Sequence, residues 1–386
     1  MSDDLDLGWL LAVAGAAVWS PRPLATWFTA LGDARSIAAH ARSGGPFAPG
    51  GAEPLSAEIL ARLAALDDAA ATDAVRAANA CGSHVLTKLD PLYPPRLLEL
   101  CDAPHVLYYF GNPGIAGARA IAIVGSRAAT TYGRTVAATF ARDAAVYGAT
   151  VVSGLARGVD AAAHSAAVES GGRTVAVIGS GLGALYPPYH SLLADEIVAS
   201  GGAILSEFPP AMVARPHHFP MRNRIVAALA DATIVTEAAH RSGALITTRL
   251  ADEYGRRVFA VPGDVDRPTS AGTNALIRDG VSVATSMADV AELLGWEPIF
   301  ATHSEAHGNE VDTQQAGGAT AGLDPLLALL AGSALDVDEL SFRSGRPASE
   351  VAAQLTILEL RGVVERRAGG TFAAVSTRKT KNGASA

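Results

Sequence analysis

Residues 119–300 alternate between two hydrophobic patterns. Short apolar runs rich in β-branched residues are separated by longer stretches with helical spacing. Runs that are apolar on both faces and joined by crossover helices are typical of a mostly parallel sheet covered on both sides. The sequence therefore predicts a doubly wound α/β domain that binds ligands at the carboxyl edge of its strands. The predicted strands are 121–124, 150–153, 174–178, 203–205, 232–236, 257–261 and 281–284.

The flanking segments have different patterns. Residues 1–66 are rich in Ala and Leu at helical spacing and predict a small helical domain. Residues 67–118 are interpreted as a connector leading into the core, because clustered prolines near its centre interrupt helices. The polar, Gly- and Gln-rich residues 301–322 are typical of a flexible linker. Residues 323–376 predict three helices followed by two strands, the order of a winged helix, and 377–386 form a basic tail.

Composition narrows the choice of function. With 386 residues, 49% of them hydrophobic, the chain can bury a large core, but its net charge of -8 opposes indiscriminate binding to nucleic acid. Five arginines against two acids between residues 119 and 160 nevertheless predict a local basic pocket. No apolar run reaches the length of a bilayer span, so we expect a cytoplasmic protein without membrane contact. Cys81 and Cys101 form no CxxC pair, and we expect neither a metal nor a cofactor.

The first predicted strand runs directly into Gly125, Ser126 and Arg127. Glycine lets a ligand approach the backbone, the following helix start offers free N–H groups, and the arginine adds a charge-assisted contact to an oxyanion. No Gly-Lys-Ser/Thr ending of a P-loop follows, so ATP hydrolysis is not indicated. The segment predicts a phosphate site, and a plain tight turn with a solvent-facing arginine is the alternative.

The second strand ends in Ser153 and Gly154, with Arg157 close behind. Asp160 and His164 then lie four residues apart on one helix face, which allows an acid–base pair with Ser153 as a nominal nucleophile. The alternative, which we favour, is that the aspartate caps its helix and the histidine is packed.

Residues 219–224 open another helix and are the most suggestive segment. Phe219 offers a face for base stacking, Asn223 can cap or donate hydrogen bonds, and Arg222 and Arg224 add charge at a helix start. Side chains two residues apart on a helix point in different directions. We therefore expect one arginine to meet the ligand and the other to hold a neighbouring loop or a partner subunit.

Two further turns are candidates. Ser242 and Gly243 precede a predicted helix, where they either cap and pack the helix or contact a phosphate. Tyr186 and Tyr189 lie in a proline-rich loop and either pack or stack on bases.

The ordered set of these motifs resembles the DNA-processing protein A (DprA/Smf) family over about residues 89–294. The motifs are IAIVGSR at 121–127, SGLARGVD at 153–160, FPMRNR at 219–224 and VPG at 261–263. The resemblance implies an extended Rossmann-like fold with an N-terminal SAM-like domain and a C-terminal winged helix. It also implies a homodimer through the Rossmann-like domain that binds and protects single-stranded DNA without sequence preference. Such a protein helps load the recombinase RecA during natural transformation and has no catalytic activity.

The DNA site then combines residues carried over from the family motifs with the neighbouring turns. Many relatives have a lysine at the position of Pro216, and Arg215 is the candidate to replace that charge. The residues expected to bind DNA are Gly125, Ser126, Arg127, Ser153, Gly154, Arg157, Phe219, Arg222, Asn223, Arg224, Ser242 and Gly243.

Two other functions are alternatives to the binding of single-stranded DNA. Nucleoside-monophosphate phosphoribohydrolases use related folds, and Glu237 would be the catalytic carboxylate. Their PGGxGTxxE loop is absent here beyond Pro262 and Gly263. The winged helix would alternatively read duplex DNA in a transcriptional regulator, but its predicted recognition helix 348–360 offers few base-reading side chains, Gln354 being the clearest.

Overall fold

The structure is a computed structural model. It describes residues 2–44 and 48–299, and in the C-terminal part 325–330, 335–344, 346, 348–360, 363–366 and 371–374. The predicted linker 301–322 and the basic tail 377–386 lie outside the described residues. Residues 1–304 and 305–386 form two separate compact units. No helix in the described ranges is both long and apolar enough to cross a membrane.

The first unit begins with helices, as predicted. Trp27, Ile37 and Leu63 are almost fully buried where these helices pack together. Asp33, Ser56 and other residues with short polar side chains cap the helix starts, satisfying backbone N–H groups that have no partner within the helix. The helices are α1 (Ser2–Ala16), α2 (Pro21–Leu31), α3 (Ala34–Arg42), α4 (Ala57–Ala64) and α5 (Asp68–Ala80).

A nine-stranded sheet forms the centre of this unit, in the order β1-β2-β6-β5-β4-β3-β7-β8-β9. All neighbouring strands from β6 to β9 in that order run parallel, which confirms the predicted doubly wound sheet. The strands are β1 (His84–Thr87), β2 (Val106–Gly111), β3 (Ala120–Val124), β4 (Thr150–Ser153), β5 (Thr174–Val177), β6 (Ala203–Ser206), β7 (Ala232–Val235), β8 (Arg257–Ala260) and β9 (Ser282–Val283).

Helices cover both faces of the sheet. Alternate residues of β3 point to opposite faces, so that Ile123 packs with Phe140 on one side and Val124 with Ile225 on the other. The helices are α6 (Pro95–Leu98), α7 (Thr131–Val146), α8 (Val159–Glu169), α9 (Ser191–Ala199), α10 (His218–Leu229), α11 (Ala244–Glu253), α12 (Ala271–Arg278) and α13 (Met287–Leu294).

The segment 67–118, interpreted above as a connector, contributes the helices α5 and α6 and two strands. β2 pairs antiparallel with β6, and β1 pairs antiparallel with β2, so this segment extends the sheet itself. The prolines that suggested a connector lie between these two strands, where they do not interrupt the pairing.

The strand order reverses at β3. From it the chain builds outward through β4, β5 and β6 on one side and through β7, β8 and β9 on the other. At such a switch point, the helices that follow the two neighbouring strands lie on opposite faces of the sheet. This leaves a crevice beside the carboxyl ends of those strands. Gly125 directly follows β3, so the fold places the first predicted phosphate turn at this crevice.

The second unit contains the predicted winged-helix order. Helices α14 (Pro325–Leu330), α15 (Val337–Ser344) and α16 (Ala348–Leu360) precede the antiparallel pair β10 (Val364–Arg366) and β11 (Phe372–Ala374). Leu340, Leu355 and Phe372 are buried in its core. Residues 367–370, between these two strands, lie outside the described residues.

Candidate nucleic-acid interface

A cavity of about 690 Å³ lies beside the turns that follow β3, β4 and β7, and against the first turns of α10 and α11. We call it the first cavity. Nine of the twelve predicted site residues line it, namely Gly125, Ser126, Arg127, Gly154, Phe219, Arg222, Asn223, Ser242 and Gly243. Three turns that are distant in sequence therefore meet in one place.

Arg127 provides an available positive charge in the first cavity. Its guanidinium lies 4.5 Å from the ring centroid of Phe219, a cation–π contact. It forms no salt bridge with any residue that the structure describes. The turn below it is fixed because the backbone N–H of Ser126 donates to the Glu237 carbonyl at 2.7 Å. A rigid turn thus presents a guanidinium whose charge is free to meet an anion.

Aromatic side chains form the rim of the cavity. The ring centroids of Tyr186 and Phe219 are 5.8 Å apart, and 49% of the Tyr186 surface is exposed. Bases of any sequence can stack on such rings because every base has a π-face. The predicted role of Tyr189 has less support, because this exposed residue does not line the cavity.

Arg222 lies in the floor of the cavity. It is 4% exposed, and it donates a hydrogen bond to the Val177 carbonyl. Burial lowers the pKa of Arg222 to about 10, while the charge of Asp160 opposes that shift. A side chain at Gly154 would overlap the guanidinium, so glycine there lets Arg222 take this position. The guanidinium therefore brings positive potential to the cavity from below.

Arg224 points away from the cavity. Its Nη2 contacts both carboxylate oxygens of Glu207 at 2.5 Å, and its Nε lies 3.4 Å from Asp102. The two side chains thus point in different directions, as expected from their spacing, and contact of Arg222 with a ligand stays a prediction. The one that holds a neighbouring loop does so within this chain.

The second predicted turn contributes less than its motif suggested. Ser153 is fully buried and its hydroxyl donates to the Ile123 carbonyl at 2.6 Å, joining β4 to β3. His164 is also fully buried, and its Nδ1 lies 2.7 Å from the hydroxyl of Thr174. Burial lowers the pKa of His164 to about 3, so it is neutral and packed rather than paired with Asp160 as an acid–base couple.

The lining of the first cavity includes Arg241, which was not predicted, and not Arg157, which was. Arg157 is exposed but does not line the first cavity. Arg241, which sequence reasoning missed, is exposed, lines the cavity and forms no salt bridge with a described residue. Its only sequence signal is a basic pair beside Ser242. The cavity lining then holds three arginines against one acid, Asp160.

Glu237, the catalytic residue of the rival enzyme, has a structural role. It is 2% exposed, and its Oε2 accepts a hydrogen bond from the Thr130 backbone N–H at 2.8 Å. A side chain at Gly133 would overlap this carboxylate. Glu237 thus fixes the start of α7 and does not line the first cavity. The described residues include no cluster of three His, Cys, Asp or Glu side chains that would suit a metal ion.

Comparison with known proteins confirms the family resemblance. The sequence model of the family described as DNA recombination-mediator protein A matches residues 84–295, and that of the DprA winged helix domain matches residues 311–370. Protein Smf of Escherichia coli strain K12 is 37% identical over 291 residues, which cover 74% of this chain and 76% of the relative.

Two solved structures are similar over most of their own length. DNA processing protein A (DprA) from Streptococcus pneumoniae superposes with a TM-score of 0.62 at 32% identity, covering 76% of this chain and 98% of that one. DNA processing protein A from Helicobacter pylori, studied for its single-stranded DNA binding mode, gives a TM-score of 0.51 at 30% identity. That match covers 56% of this chain and 98% of the other.

Proposed function

The chain belongs to the DNA recombination-mediator protein A (DprA/Smf) family, and on this premise we propose that it holds single-stranded DNA in the first cavity. The observation that carries the proposal is the combination in one cavity of Arg127, Arg222 and Arg241 with the rings of Phe219 and Tyr186. Arginines bind phosphates of any sequence, and aromatic rings stack on unpaired bases. In a duplex the bases are stacked on each other, so this combination favours single strands.

The net charge of -8 is consistent with this function. Binding is confined to a groove where arginines are concentrated, while the acidic remainder of the surface repels nucleic acid. The backbone N–H of Gly243 and the hydroxyl of Ser242, at the start of α11, are candidates to assist the arginines in binding phosphate.

In the cell, the proposed role is to protect incoming single-stranded DNA and help load the recombinase RecA during natural transformation. We propose that the protein acts in the cytoplasm as a homodimer through its Rossmann-like domain. Catalysis is not part of the proposal, because the Glu237 carboxylate is buried and bonded to the start of α7. Release of ribose 5-phosphate from a nucleoside monophosphate, lost in Glu237→Ala, would instead support the phosphoribohydrolase alternative.

The decisive experiment compares a labelled, unstructured oligonucleotide with its duplex by fluorescence anisotropy, using the full chain at two salt concentrations. We expect tight, salt-dependent binding of the single strand, with the duplex a much poorer competitor. Equal affinity for both forms, or preference for the duplex, would contradict the proposal and favour a duplex reader. Loading is then tested by RecA-dependent strand exchange on DNA coated with single-strand binding protein, which the protein should accelerate.

A further inference from the structure

A second cavity, of about 480 Å³, lies between the N-terminal helical region and the start of α10. Both regions belong to the same compact unit. Its lining includes Trp19, Ser56 and Arg62 from the helical region, and Arg215, His217 and Met221 from the α10 region. None of these residues belongs to the twelve predicted from the sequence.

The chemistry of the second cavity resembles that of the first. The half-buried ring of Trp19 lies 4.9 Å from the exposed ring of His217, so an aromatic surface faces the opening. Arg215 is exposed and forms no salt bridge with any described residue. Arg62 pairs with Glu58 at 2.5 Å, but both side chains are exposed, and such surface pairs contribute only about 0–1 kcal/mol. Glu58 also lines the second cavity, but because this pair is weak, Arg62 can exchange Glu58 for a phosphate at little cost.

The two cavities are neighbours along one short stretch of chain. Pro216, Phe219 and Pro220 line the first, whereas Arg215, His217 and Met221 line the second. His217 and Met221 are four residues apart and share one side of the helix start, while Phe219 and Pro220 lie on another. The first turn of α10 therefore separates the cavities by about one helix diameter, roughly 10–12 Å. Single-stranded DNA in an extended conformation can pass over this turn.

We propose that single-stranded DNA leaving the first cavity crosses the start of α10 and occupies the second cavity. There Arg62 and Arg215 bind backbone phosphate, and Trp19 with His217 contacts a base. The inference rests on the proposed function and adds a role for the N-terminal helical region in DNA binding.

The test compares Arg62→Ala with Arg76→Ala in the full chain. Both arginines are exposed and form a local ion pair on a helix of the same region, but Arg76 does not line the second cavity. Affinity is measured for oligothymidylates of about 4 and about 16 nucleotides, which span the site sizes of single-strand binding folds. The short oligonucleotide is expected to fill the first cavity, and the long one to reach both.

Loss of one single-strand phosphate contact lowers the slope of log K against log salt by about 0.7. Between about 1 M and about 0.1 M salt, this corresponds to roughly fivefold in affinity. Arg62→Ala should therefore bind the long oligonucleotide about fivefold more weakly at about 0.1 M salt and the short one as the wild type does. Arg76→Ala should match the wild type with both.

A second readout maps the path directly. A long oligonucleotide carrying 5-iodouracil at single positions, irradiated in complex with the wild type, should crosslink to the peptide containing Trp19. If Arg62→Ala keeps the wild-type affinity and salt slope, and no crosslink to that peptide forms, the proposed role of the second cavity is wrong. The assignment of the first cavity to DNA binding would still stand. Failure of the wild type to bind either oligonucleotide would overturn the proposed function as well.

Discussion

Replacing Arg224 by methionine tests whether this arginine supports the fold rather than the DNA. In the structure its side chain is 6% exposed and that of Glu207 is 9% exposed. The substitution removes the guanidinium that both carboxylate oxygens of Glu207 contact, and it also removes the partner of Asp102. A buried carboxylate is then left without its counter-charge.

Breaking a buried ion pair by removing one partner costs about 3–5 kcal/mol. For a unit that spans residues 1–304, each kcal/mol lowers Tm by roughly 1.6 °C, so Arg224→Met should lower Tm by about 5–8 °C. Adding Glu207→Leu removes the stranded carboxylate, and replacing both partners by apolar residues is often close to neutral. The double variant should therefore recover more than half of the lost stability.

The assay is thermal unfolding followed by circular dichroism, together with single-strand binding at a temperature where each variant is folded. We expect the folded Arg224→Met protein to bind DNA within about twofold of the wild type, since Arg224 contacts no part of the first cavity. A Tm within 2 °C of the wild type, or a large loss of affinity in the fully folded variant, would refute this assignment.

Three further predictions follow from contacts elsewhere in the structure. Gly154→Ala should displace the Arg222 guanidinium and weaken single-strand binding in anisotropy titrations, whereas Gly117→Ala, an exposed position outside the first cavity where the added carbon makes only an ordinary contact of 3.6 Å, should not; equal behaviour would contradict the argument. Phe219→Leu should lose about 1–3 kcal/mol of binding, the value of one stacked base, and an unchanged Kd would exclude stacking there. Burial lowers the pKa of His164 from 6.5 to about 3, so below pH 6.5 the unfolded chain takes up a proton that the folded chain excludes. Stability measured by urea unfolding should fall by up to about 1.4 kcal/mol per pH unit from there toward pH 3, and His164→Gln should flatten that dependence.

The parallel strands of the core were predictable because each is a short apolar run between helical stretches. The antiparallel strands β1 and β2 were not predicted, since β1 is a sheet-edge strand of mixed burial and prolines lie between the two. β2 has a strand signal in its sequence, because Val106–Gly111 is rich in aromatic residues, but the interpretation of 67–118 as a connector overlooked it. For β1, position at the edge of the sheet rather than local propensity decides the structure.

Site residues were predictable where a motif follows a strand, as at Gly125 and Arg127. The sequence also indicated that Arg222 and Arg224 differ, but only the position of Glu207 shows which one turns away. Arg241 lies in a loop without a motif, and it reaches the cavity because of the path of the chain after β7. The positions of Arg222, Arg224 and Arg241 therefore depend on contacts between segments that are distant in sequence, which local spacing does not show.

The most direct test of the DNA site is the salt dependence of single-strand binding by Arg127→Ala, with Arg142→Ala as the matched control. Arg142 is also exposed but lies near the end of α7, away from the first cavity. One lost phosphate contact should lower the magnitude of the log K against log salt slope by about 0.7 and the affinity by roughly fivefold at about 0.1 M salt. Arg142→Ala should match the wild type. An Arg127→Ala protein with wild-type slope and affinity would contradict the assignment of the first cavity as the DNA site.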